Sequence, residues 1–461
     1  MTESMQDISE RLSRVLKLAL DTGEAASEPE AMAIFSRYRV QLIFGEDLSE
    51  MAQVALLTAA ATALPCLLGG LSYVGPDQPL RARWRGHPDA PAPARLAATL
   101  ESFGVRRATA IDAQVPCIAI GAQVAKALGV RVTFDGWTAA VVPLADESLG
   151  EQGDCTAAAV LAGAMAVAEI FQFYRGTQPL ACQRRIGWSL WEPGTPWSTA
   201  ARGPSLTALP QSAWLVGLGN LGQAYLWTLG LLPYAADQGE LVLQDFDFVS
   251  IANKSTSLLS RERDVGRRKT RMVAAWAEHR GFRTSLIERP FDANFSVSGD
   301  DPCVGLIGVD NPATRRLVEC VGFARVIEAG LGRGPSDYLG ITVHTFPAPR
   351  AAHDCWQEPT RPPADPAQAT AKKAAYQRLH AASGDGCGVL RLAGRSIATP
   401  FTGAAAGALV VGELLRLCHG GPRVEYASVH LARPDKSTII LGAPWPAMNP
   451  GIVAPEQYSE A

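Results

Sequence analysis

The sequence predicts an α/β protein, on three observations. Apolar Trp214–Val216 reads as a strand that runs into Gly217-Leu218-Gly219-Asn220-Leu221-Gly222, and a helical stretch follows. A second apolar strand, Leu241–Leu243, ends on the acidic residues Asp245 and Asp247, which completes a βαβ order. Two Ala-rich segments also echo each other. Cys155-Thr156-Ala157-Ala158-Ala159 leads to Ala168-Glu169-Ile170-Phe171, and Thr402–Gly407 leads to Gly412-Glu413-Leu414-Leu415. Each reads as a small-residue helix that ends on a glutamate and bulky apolar side chains.

The glycines belong to a turn that binds an adenine nucleotide. Gly217 permits the tight bend, Gly219 lets backbone approach a phosphate, and Gly222 lets the helix lie close to the sheet. The helix N-terminus offers oriented N–H groups to an anion. Asp245, at the end of the next strand, is placed for ribose hydroxyls. The same turn would serve a nicotinamide dinucleotide, so the glycines alone leave hydride transfer and adenylyl transfer both open.

The chain has 461 residues, a length that favours more than one domain. Its net charge of −3 comes from 42 basic and 45 acidic residues, which gives no reason to expect nucleic acid as a partner. The apolar stretch Val54–Leu71 carries Pro65 and many small residues, and is read as a buried strand–helix pair rather than a membrane span. The N-terminus lacks an apolar signal core, and the nine cysteines are scattered with no CxxC. Both point to a cytoplasmic location.

Beyond the glycines the order Asp245-Phe246-Asp247, Asn253, Asp264-Val265-Gly266, Lys269 continues without a gap. A further apolar strand, Cys303–Val309, ends on Asp310-Asn311. This series resembles the adenylation core of the E1/ThiF/MoeB ubiquitin-activating family over roughly residues 205–435. The resemblance implies ATP as substrate. Asp245 would lie at the ribose, with Lys269 on the phosphates and Asn253 near them, and Asn220 and Asp247 would also belong to the nucleotide site. Asp310 would hold Mg²⁺ between α-phosphate and carboxylate, a role that needs one or two carboxylates plus phosphate oxygens. In one place the chain departs from the family. The arginine expected three residues after Asn253 is Thr256, so a cation is missing from the triphosphate site.

With the echoing helices, the resemblance implies two pseudo-symmetric Rossmann-like halves of the E1/ThiF adenylation type. Residues 1–195 would form a degenerate, inactive half, its phosphate turn expected near Ala55–Ala61 with the glycines lost. Residues 205–461 would form the active half, joined by the Pro/Gly/Ser/Thr-rich stretch from Glu192 to Pro210. The segment Ser36-Arg37-Tyr38-Arg39-Val40-Gln41-Leu42 is similar to the family's entry segment. Arg39, or Arg37, would then reach the partner half's phosphates in place of the residue missing at Thr256.

A crossover loop is expected at about 350–390. It holds both candidate nucleophiles, Cys387 in Gly384-Asp385-Gly386-Cys387-Gly388 and Cys355 in His353-Asp354-Cys355-Trp356. The glycine flanks favour Cys387, because a thiol moving to an acyl-adenylate needs mobility. Position 358 is Glu, so no four-cysteine zinc site is expected.

The implied function is an ATP- and Mg²⁺-dependent activating enzyme. It would adenylate the C-terminal carboxylate of a ubiquitin-like protein and pass it through Cys387 as a thioester to an E2-like partner. It is most similar to the activating enzymes of Bil-type antiphage conjugation operons, and would act as a monomer or homodimer. The alternatives are a sulfur-carrier-protein adenylyltransferase, a peptide-modifying adenylase or leader-binding partner, and an NAD(P)-dependent oxidoreductase. For the oxidoreductase, no hydride-transfer constellation stands in the second half.

Overall fold

The computed structural model describes residues 8–90, 92–124, 127–357, 366–443 and 449–456. Two sheets carry the fold. The first is built from β1 (Arg39–Phe44), β2 (Gly70–Val74), β3 (Arg106–Arg107), β4 (Cys117–Ile120), β5 (Gly129–Asp135), β6 (Thr138–Pro143) and β7 (Ile186–Ser189). Its order is β3-β2-β1-β4-β5-β6-β7. The run from β3 to β5 is parallel, and β6 and β7 close it antiparallel.

After the short β8 (Leu209–Pro210) come β9 (Ser212–Val216), β10 (Glu240–Gln244), β11 (Arg283–Ile287), β12 (Val304–Ile307), β13 (Arg325–Leu331), β14 (Gly340–Phe346), β15 (Val424–His430) and β16 (Thr438–Leu441). The second sheet has the order β11-β10-β9-β12-β13-β14-β15-β16, parallel from β11 to β13 and antiparallel beyond. Through its first seven strands it follows the order and direction of the first sheet. β17 (Ile452–Val453) pairs with β8.

Between the sheets lies a layer of helices, Glu50–Ala63, Thr156–Arg175, Asn220–Leu229 and Pro400–Cys418, sharing one continuous apolar core. Thr156–Arg175 and Pro400–Cys418 are long and apolar enough to cross a membrane, but 94% and 89% of them is buried within the protein. Their small residues explain the echo. A methyl group at Gly163 would overlap the Ala55 carbonyl, and one at Gly407 would overlap Ala224, so both units use a glycine where two helices cross. The glutamates match as well. Glu169 accepts from the Cys182 N–H and pairs with Arg184, while Glu413 accepts from the Val424 N–H and pairs with Arg416. All four side chains are withdrawn from solvent, so each carboxylate is compensated where water cannot reach it.

The two units also meet through side chains. Trp227 Nε1 donates to Thr58 Oγ1 at 3.1 Å. Arg261 Nε donates to His87 Nε2 at 3.0 Å, which requires a neutral ring. Burial, then the Arg261 charge, pushes the His87 imidazole down to about 3. The unfolded chain, at about 6.5, therefore takes the proton first as pH falls. Stability from this contact is complete above about pH 6.5 and is lost towards pH 3. At about pH 4.5 the wild type is expected to have lost roughly 2–3 kcal/mol that a His87→Gln variant keeps. Thermal melts between neutral pH and pH 4.5 check this; parallel slopes for the two proteins would remove His87 from that role.

Candidate functional site

β9 ends at Val216 and the chain turns at Gly217, whose φ of +83° disfavours any side chain. A methyl there would press on Gly308 and Val309 at the end of β12, and one at Gly222 would overlap the Gly217 carbonyl. Gly219 is different: a methyl on it would meet nothing within 4 Å. Two glycines are thus required by packing, and the third faces open space at the start of the helix Asn220–Leu229. Both amide atoms of Asn220 are shielded from solvent and lack a hydrogen-bond partner. The Asn220 amide packs against Gly403 of the helix Pro400–Cys418, while the open N-terminus at Gly219 fits a phosphate group.

The acidic pair divides its work. Asp245 accepts from the Leu218 N–H at 2.7 Å and from the Asp247 N–H at 2.8 Å, so it holds the glycine turn against β10. Asp247 has a half-exposed side chain, and Lys269 Nζ lies 2.9 Å from it and 3.9 Å from Asp245. Lys269 opens the helix Lys269–Glu278, which brings its ammonium to the acidic pair. Asn253 Oδ1 accepts from Ser250 N at 2.8 Å, closing the short turn Ile251–Ser255. Asp264 likewise caps its own turn, accepting from Arg261 N at 2.9 Å.

Thr256 is buried beneath this turn. What the first unit brings here is the helix Arg14–Thr22, with the Arg14 N–H on Ser255 Oγ at 3.1 Å. Arg39 stands elsewhere, at the start of β1, with Asp112 at 3.8 Å.

The first unit's counterpart of the glycine turn is not at Ala55–Ala61, which lies inside the helix Glu50–Ala63. It is Gly45-Glu46-Asp47-Leu48-Ser49, directly after β1. A methyl at Gly45 would overlap Gly121, as Gly217 meets Gly308 in the second unit. The rest of the turn is occupied from within. Leu48 N donates to Gln78 Oε1 at 2.7 Å, Gln78 Nε2 donates to Gly45 O at 3.0 Å, and Arg81 pairs with Asp47 at 2.5 Å.

Asp310 follows β12 and is exposed. It opens on a cavity of about 390 Å³ lined also by Arg333, Leu390, Arg391, Arg395 and Ser396. Leu390 and Arg391 lie on the helix Gly386–Gly394, in whose first turn Cys387 stands. One helical turn, about 5.4 Å of rise, therefore separates Cys387 from the lining of the Asp310 cavity. Position-by-position reading missed the arginines, although Cys387, Arg391 and Arg395 share an i, i+4 spacing.

The expected loop between Gln357 and Asp385 is largely helical where described, with helices Pro366–Ala371 and Ala374–Ser383; residues 358–365, including Glu358, lie outside the described residues. Cys387 is therefore held on a helix capped by Asp385, which accepts from Gly388 N at 2.7 Å. His380 Nε2 would lie 3.1 Å from a methyl group at Gly386, so an imidazole stands next to the Cys387 turn. Cys355 is half-buried, and burial pushes its thiol up. Cys66, Cys117, Cys155 and Cys182 are buried, Cys303 and Cys418 are half-buried, and Cys320 is exposed.

Residues 209–421 match the BilD C-terminal domain, and residues 39–190 match the BilD N-terminal domain. Over 425 residues, 90% of each chain, the protein is 38% identical to the bacterial E1-like protein BilD of Collimonas sp. (strain OK412). Among solved structures it is similar to E. coli MccB with MccA-N7isoASN (14% identity, TM-score 0.33) and to MccB with ATP (13%, 0.33). A third is PaaA (14%, 0.33). These similarities span 50% of this chain and 64%, 63% and 65% of the others, under two thirds of their length, and say nothing of what this chain binds. Two matched domains and a relative aligned along nearly its whole length place the chain in the BilD family of bacterial E1-like proteins.

Proposed function

We propose that the protein is a cytoplasmic E1-type activating enzyme with two pseudo-symmetric adenylation-type halves, the first degenerate. It uses Mg-ATP to adenylate the C-terminal carboxylate of a ubiquitin-like protein, then captures the acyl group on Cys387 for an E2-like partner. The observation that carries this reading is the cavity shared by Asp310 and the Cys387 helix, beside a glycine turn fit for phosphate.

In this reading the Gly219 and Asn220 end of the helix and Lys269 hold the phosphates, and Asp247 meets the ribose. Asp310 would hold Mg²⁺, which when bound neutralises charge between α-phosphate and carboxylate. The arginines around Asp310 draw in the carboxylate tail. The carboxylate oxygen bonds to the α-phosphorus as pyrophosphate leaves. The Cys387 sulfur then attacks the acyl carbon and AMP leaves, and the thiol proton passes to a base, for which His380 beside the Gly386 turn is the candidate to test.

ATP–pyrophosphate exchange with a ubiquitin-like protein as acceptor tests the first step. Exchange dependent on that protein is the expected result. Absence of exchange, with hydride transfer from NADH instead, would overturn the reading. A thiol-sensitive adduct between enzyme and modifier separates it from a sulfur-carrier adenylyltransferase.

A further inference from the structure

Behind Asp310, on the outer face of the second sheet, lies a charged network in an apolar setting. Glu328 on β13 is fully buried. Its Oε1 is 2.5 Å from His344 Nδ1 on β14, and its Oε2 is 3.5 Å from Arg315 Nε. A buried carboxylate is costly unless compensated, and its compensation here depends on these two side chains. Arg315 is used twice more. Nε donates to the Val309 carbonyl at 2.8 Å, and Nη2 donates to the Ala329 carbonyl at 3.1 Å. Gly330 leaves the room, since a methyl there would come within 2.7 Å of Nη1. The Trp356 ring lies 5.0 Å from His344 and 5.7 Å from Arg315, covering the network.

Val309 immediately precedes Asp310. On the other side Asn311 caps the short helix Pro312–Arg315, its Oδ1 accepting from Ala313 N at 2.9 Å. Asp310 is thus an exposed residue between two anchors, the guanidinium of Arg315 on the Val309 carbonyl and the Asn311 cap. We propose that Arg315 is a positioning residue for the Asp310 carboxylate, and that Glu328 and His344 serve by holding Arg315 in place. This rests on the adenylation reading for its consequence, though not for its geometry. An ion pair that merely tied a helix to a sheet would not need to grip the carbonyl adjoining Asp310. Outer-shell groups of this kind govern ligand orientation at metal sites.

The experiment compares wild type with Arg315→Lys and Glu328→Gln in the full chain. Both variants keep side-chain volume, and melting temperature confirms that they fold. Amide hydrogen exchange over 308–316 is measured on the free protein, and ATP–pyrophosphate exchange is measured as a function of Mg²⁺. Faster exchange confined to that segment is expected, with half-saturating Mg²⁺ raised by about 10–100-fold in Arg315→Lys. KM for ATP should move far less. Folded variants with wild-type hydrogen exchange and wild-type Mg²⁺ dependence would overturn the proposal. So would a lower melting temperature accompanied by uniform loss of activity at unchanged Mg²⁺ dependence. If the wild type itself shows no pyrophosphate exchange, the functional reading fails, while hydrogen exchange still decides whether Arg315 holds the Asp310 turn.

Discussion

Asp310→Ala is expected to lower ATP–pyrophosphate exchange by about 10²–10³-fold with little change in melting temperature. The two halves of that expectation have separate causes. Asp310 is exposed at the end of β12, so its removal leaves no cavity and strands no buried partner. The cavity, however, then keeps three arginines, of which Arg395 is paired with Glu10, and loses the acidic residue that lines it. Without it, the charge that develops as pyrophosphate departs is left to those arginines and to Lys269, which is paired with Asp247. The measurement is pyrophosphate exchange at saturating ATP and modifier, with Mg²⁺ varied. Activity near wild type would move the metal away from Asp310 and require another carboxylate, with Asp247 the next to test.

Cys387→Ala is expected to do the reverse, keeping exchange and losing every thiol-sensitive adduct with the modifier. Alanine is the best helix former, and the side chain it replaces is exposed in the first turn of Gly386–Gly394. The Asp385 cap and the Arg391 side of the helix are untouched, so the cavity next to Asp310 should persist. Non-reducing gels of enzyme, ATP and modifier read the adduct. Cys355→Ala is the control, since burial pushes its thiol up and makes it the poorer nucleophile. An adduct that survives in Cys387→Ala and disappears in Cys355→Ala would transfer the role to Cys355.

Much of this site is local in origin. The order from Gly217 to Lys269 works within one strand–helix–strand unit. The turn needs Gly217 and Gly222 for steric reasons, and Asp245 binds the turn only 27 residues before it in the chain. Such constraints leave marks in the sequence because few residue types satisfy them. The crossing helices were legible for a similar reason, since close backbone approach admits only glycine and alanine.

Other features are not readable in this way. The first unit's turn was misplaced by about ten residues, because a uniformly apolar helix gives no phase to show where the preceding strand ends. The polar stretch before Cys387 looks like loop, yet helices Ala374–Ser383 and Gly386–Gly394 form there, because Tyr376, Leu379 and Leu392 find buried places against distant segments. Arg39 has a suggestive neighbourhood in sequence, but in the fold it pairs with Asp112, while Arg14 approaches the Asn253 turn.

Residue order along the chain was thus enough for the α/β class and for the glycine turn with its acidic strand ends, since each depends on contacts within a few turns of chain. The gathering of Asp310, Arg333, Arg391 and the Cys387 helix around one cavity depends on the segment between β14 and β15 returning to the end of the sheet where β12 and β13 finish. Long-range packing sets that meeting, and no local spacing encodes it.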